Sequence, residues 1–234
     1  DFYSPSVLGP VDLGRWVHET IMPGAESTSA AYLNHGNGVT STVLFGPLDE
    51  KTPVFGRPYS NVNHYRCISP ALQSTDGVPD VDLYDVLKHI DCVLTNEKLD
   101  FANFSIGPYM PMDDDEVHPW TALIDQHLAS GTTFATIAVG NDGEKTWPES
   151  RVQPPSDMVN AVAVGACDSM GPEWERASYS SYGPGRSPGM IKPDGVAFGG
   201  SSKEPFVVYN ALTGQCAITS GTSFSSPAVM RTAI

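Results

Sequence analysis

Residues Ser220–Pro227 read SGTSFSSP and run on into AVMRTA (Ala228–Ala233). Gly221 permits a backbone geometry that a β-carbon forbids. Thr222 and Ser223 then open a helix carrying Ala228, Val229 and Met230. A serine at a helix start sits among unsatisfied N–H groups at the positive end of the dipole. An oxygen that must acquire negative charge gains from that position. GTS alone fits an ordinary Ser/Thr cap; the longer string is more specific.

Two other segments carry comparable chemistry. Asn34–Pro47 reads NHGNGVTSTVLFGP, where His35 is a candidate base in a Gly-rich stretch. Thr136–Gly143 reads TIAVGNDG, a buried run ending in a turn. An asparagine at a strand's carboxyl end can aim its NH₂ at a reacting carbonyl, although NDG is also a good turn sequence.

Around these segments the chain alternates. Apolar runs at Val39–Phe45, Phe101–Ile106, Phe134–Val139 and Val159–Val164 suit strands buried on both faces. Val81–Leu94 and Trp120–Ser130 carry apolar residues at helical spacing, and Gly131 stops the second. This rhythm predicts βαβ units with ligands at the carboxyl ends of the strands. The fold class expected is α/β, three layers around a mainly parallel sheet. The 234 residues are read as a single domain, 1–234, cut at both ends, since Ile234 falls a turn or two into the last helix.

Composition narrows the function. There are 27 acidic against 13 basic residues, a net charge of −14, which disfavours nucleic acid and anionic membranes as partners. Cys67, Cys92, Cys167 and Cys216 are scattered without a CxxC pair, which argues against a zinc site or disulfide framework. That slightly favours the cytoplasm over secretion, with two disulfides in a secreted enzyme as the other reading. Asp113, Asp114, Asp115 and Glu116 form a carboxylate run in the loop Pro108–Pro119. A solvated loop is its plain reading, and calcium or basic substrates are the alternatives. No metal or cofactor is expected.

GTSFSSP resembles the nucleophile signature of the subtilisin-like serine proteases. NHGNGVTS and AVGNDG resemble that family's histidine and oxyanion segments, although Asn37, Gly38 and Thr40 depart from the usual histidine pattern. The resemblance implies a serine endopeptidase with Ser223 as nucleophile, His35 as general base and Asn141 in the oxyanion hole. Phe104–Gly107 (FSIG) resembles the substrate-pairing strand. Ser105, Ile106 and Gly107, with Ala138, Val139 and Gly140, would then line the cleft for a peptide or protein substrate. VNAVAVGAC (Val159–Cys167) and YSSYG with Lys192-Pro193-Asp194 extend the likeness.

One member of the expected triad has no clear segment. The family's acid precedes the histidine on a strand ending in D-[STG]-G, and no such segment stands here. Asp12 follows a poor strand, and Asp1 does not continue the motif. The acid is expected upstream of residue 1. A binding module that keeps the fold without activity is the rival reading. An esterase on another scaffold would need a G-x-S-x-G elbow, and none is present.

Overall fold

In a computed structural model of the protein, residues 13–51, 53–68, 72–73, 79–80, 83–187 and 189–234 are described. Asp1 and Asp12 lie outside them. After a 3₁₀ turn at Leu13–Arg15, the elements in chain order are β1 (Val17–Ile21), α1 (Ala30–Phe45), β2 (Val62–Arg66), β3 (Leu72–Gln73), β4 (Pro79–Asp80) and α2 (Leu83–Asn96). There follow β5 (Phe101–Phe104), α3 (Pro119–Leu128), β6 (Phe134–Ala138), β7 (Val162–Cys167), β8 (Gly195–Phe198), β9 (Phe206–Asn210), β10 (Gln215–Thr219) and α4 (Thr222–Ala233).

Strands β5, β6, β7 and β8 form a parallel sheet in that order, and β1 pairs with β2, also in parallel. Strands β9 and β10 form an antiparallel hairpin. Helices α2 and α3 bury one apolar stripe each, Val86, Leu87 and Ile90 from the first, Trp120, Ile124 and Leu128 from the second. These pack with Ile137, Val139 and Ala163 of the sheet region. Helix α4 packs against all four strands of the larger sheet, and α1 lies beside α4, β9 and β2. The expected three-layer α/β architecture with a parallel sheet is what the chain adopts.

Local chemistry explains the boundaries. His118 caps α3 by accepting from the Trp120 N–H at 3.2 Å, and Pro119 fits the first turn, where its missing N–H costs nothing. Gly131, at φ +68°, ends it as expected and donates to the Leu128 carbonyl. The run Val39–Phe45 is helical, where the sequence predicted a strand. Helix α1 is covered on several sides at once, so Leu44, Val43, Thr42, Ser41 and Asn37 are all buried and no solvent-facing stripe marks the period. Asn37 fixes it to β9, donating to the Tyr209 carbonyl and accepting from the Ala211 N–H.

Among the described residues no pairing links β2 to β5: β2 pairs only with β1, and β5 only with β6. A cavity of about 480 Å³ lies between them, lined by residues 62–68 on one side and 101–106 on the other, with α1, α2 and the end of α4 around it. His35 is on its wall.

Candidate active site

Helix α4 is capped by Gly221, whose φ of +148° only glycine adopts readily. The Gly221 N–H donates to the Gly199 carbonyl at 2.9 Å, and half-buried Ser223 follows in the first turn. Asn141 reaches the same turn from the end of β6. Its Oδ1 accepts from the Thr222 N–H at 2.9 Å and the Thr222 hydroxyl at 3.1 Å. With the amide oxygen engaged, the NH₂ of this exposed side chain remains to donate.

His35 lies in the second turn of α1. The two helices meet closely at Gly38, where a β-carbon would come within 2.8 Å of the Phe224 ring. The His35 ring lies 6.1 Å from that ring, which brings the imidazole beside the residue that follows Ser223. Asn141 thus meets the residue before Ser223, and His35 the residue after it. Burial pushes the His35 imidazole below its ordinary 6.5, which keeps it neutral and able to accept a proton. Among the described residues no hydrogen bond or ion pair reaches it.

His64 of β2 was not singled out in the sequence, and it is the neighbour of this histidine. Its ring packs on Gly36, where a β-carbon would approach Cε1 to 2.9 Å, and its Nδ1 is 2.9 Å from the Thr40 hydroxyl. Burial lowers its pKa to about 4; Glu19 opposes that shift, while Arg66 and His35 add to it. No sequence motif pointed to it, because its role depends on β2 lying under α1.

The two segments expected to line a cleft follow directly on the neighbouring strands β5 and β6. The Ser105 hydroxyl is turned to the Ser223 carbonyl at 2.9 Å, and Ser105 and Ile106 also border the cavity between β2 and β5. Val139 is wholly buried, with its carbonyl accepting from the Gln153 N–H. Gln153 lies flat on Gly140, its Oε1 2.5 Å from where a β-carbon would be, and the Pro154 carbonyl stands equally close to Gly107. Residues 153–154 therefore pack across both segments. Gln153 Nε2 donates to Asp142 at 2.7 Å, and Asp142 pairs with Lys145 at 3.0 Å.

In the acidic loop, Asp114 takes two hydrogen bonds from the Arg151 guanidinium, at 3.1 and 2.8 Å. That contact, with the Ser187 N–H, holds the Asp114 carboxyl below the usual carboxylate range. This member of the run is a structural tie. The four cysteines are free thiols, and burial pushes Cys67 up to about 12. No helix among the described residues is long and apolar enough to cross a membrane.

The sequence profile of the subtilase family matches residues 3–233. The chain belongs to the subtilase family. Solved structures carry the same fold. The prenylagaramide maturation protease PagA is 23% identical with a TM-score of 0.60, over 93% of this chain and 66% of that one. A mutant of the protease domain of PatA is 20% identical with a TM-score of 0.64, over 93% and 70%. The epidermin leader peptide processing serine protease of Staphylococcus aureus is 18% identical with a TM-score of 0.59, over 84% and 51%. This subtilase thus spans between 51 and 70% of those three chains. No protein of curated function matches its sequence.

Proposed function

We propose that this chain carries the catalytic centre of a serine endopeptidase. The supporting observation is that Thr222 holds the Asn141 amide oxygen, which frees its NH₂ beside Ser223, while Gly38 and Phe224 bring in the helix bearing His35. His35 takes the proton of Ser223 as its Oγ bonds to the scissile carbonyl carbon. The carbonyl electron pair moves onto oxygen, where the Ser223 N–H and the Asn141 NH₂ donate to it. The C–N bond then breaks, the amine leaves with the proton from His35, and water releases the acyl group by the same steps. No step calls for a metal or cofactor.

A carboxylate that orients His35 belongs to this reading. The slot between β2 and β5 is bordered by His35, and an extended segment filling it could place an acid against the imidazole. The acid is accordingly assigned to a segment outside the described residues. Without it, catalysis drops by about 10⁴.

The substrate is a peptide or protein. With Gln153 packed on Gly140 of the expected cleft, a small or medium, uncharged side chain before the scissile bond fits best. A fluorophosphonate probe tests the reading: Ser223 should be labelled, with the site mapped by peptide mass spectrometry. The rival, a binding module, draws on the absence of a carboxylate at His35 among the described residues, and it predicts no labelling.

A further inference from the structure

Below the nucleophile lies a polar cluster that acyl transfer does not itself use. Asn103 of β5 stands opposite Thr136 of β6 in the parallel register. Its Oδ1 accepts from the Thr136 hydroxyl at 3.0 Å and from the Ser226 hydroxyl at 2.7 Å. Its Nδ2 donates to Ser105 Oγ at 3.0 Å, and Ser105 Oγ donates to the Ser223 carbonyl at 2.9 Å. A carbonyl oxygen has no proton to give. The Ser105 hydroxyl must therefore be the donor at that end, and it receives from the Asn103 amide. Thr136 and Ser226 are wholly buried, so the amide is held from behind.

The reason for this chain of bonds is in the helix. The Ser223 carbonyl should accept from the N–H four residues on. That residue is Pro227, inside α4, and proline has no N–H. Ser105 supplies the donor that Pro227 lacks. The nucleophile's own peptide is thereby referenced to β5, the strand that leads into the cleft.

We propose that Asn103 is a positioning residue for Ser223, acting through Ser105 on a carbonyl that Pro227 leaves open. This rests on the reading of Ser223 as nucleophile. The test is the saturation kinetics of fluorophosphonate labelling, with melting temperature measured alongside. Asn103→Ala and Ser105→Ala should each lower the maximal labelling rate roughly 10- to 100-fold, with the half-saturating probe concentration unchanged. The double variant should be no slower than the worse single one. Ser105→Thr should keep most of the rate. Pro227→Ala placed in the Ser105→Ala background should recover rate, because a backbone N–H then returns to the Ser223 carbonyl.

Labelling of the variants at the parent rate would overturn the proposal. So would losses that follow melting temperature alone, additive losses in the double variant, or no recovery with Pro227→Ala. If the parent protein itself is not labelled, the nucleophile reading fails first and this one with it.

Discussion

Around Ser223 the first turn of α4 is tied by side chains from the segments that follow β5 and β6, whereas His35 borders a slot without a polar partner among the described residues. The nucleophile side is held by Asn141 and Ser105 at hydrogen-bond distance. The histidine side is held by packing, with Gly38 against Phe224 and Gly36 against His64. Packing sets where α1 lies, but it does not choose a tautomer or stabilise an imidazolium. One half of the proposed site is thus arranged by the described residues, and under that proposal the other half takes its charge from outside them.

The largest break in this comparison comes from the nucleophile. Ser223→Ala should remove turnover of a peptide substrate by about 10⁶-fold, the size known for this residue in subtilisin. Fluorophosphonate labelling should vanish with it. Hydrolysis surviving at the parent rate would move the chemistry elsewhere.

Next is the amide. Asn141→Ala should lower kcat about 10²–10³-fold, the cost known for such an asparagine in subtilisin, with KM little changed. The same variant removes the acceptor for the Thr222 N–H, so Asn141→Asp is the sharper probe. It keeps that acceptor and replaces the NH₂ with a carboxylate oxygen, which cannot donate and adds negative charge where the oxyanion would form. If Asn141→Asp turned over at the parent rate, the side chain would be an anchor for Thr222 and not an oxyanion donor.

A smaller effect is expected at the proposed cleft. Gln153→Gly removes the side chain that packs on Gly140 and, on the proposed reading, deepens the cleft. The kcat/KM ratio of phenylalanine to alanine before the scissile bond should rise about tenfold or more, the range that a pocket change of this kind gives. An unchanged ratio would place the selecting wall outside Gln153.

What the sequence disclosed follows the same division. The candidates Ser223, His35 and Asn141 each sit in a short string of sequence neighbours, so SGTSFSSP, NHGNG and AVGNDG could name them without any knowledge of the fold. The helix α3 was legible because its stripe faces one side only. Helix α1 was not, because cover on several sides erases the period. His64, Gln153 and Asn103 were missed for a related reason. Each acts through a partner on another element: His64 through Thr40, Gln153 through Gly140, and Asn103 through Ser226, which is 123 residues away. No local pattern records such contacts.

The smallest expected effect concerns the histidine side and stability in acid. His64 is held neutral by burial, with a pKa of about 4 in the fold against 6.5 when exposed. Between those values the unfolded chain binds the proton more readily, so stability falls as pH drops from 6.5 toward 4. By pH 5 the loss amounts to about 2 kcal/mol. Glu19, which would favour the charged form, is itself paired with Arg66 at 2.7 Å, and the His35 ring adds repulsion. His64→Gln cannot take up this proton and should flatten the decline in urea midpoint between pH 7 and pH 5. The slope that remains belongs in part to His35, whose pKa burial lowers in the same direction. An undiminished slope in His64→Gln would mean that the acid sensitivity of this region arises from another group.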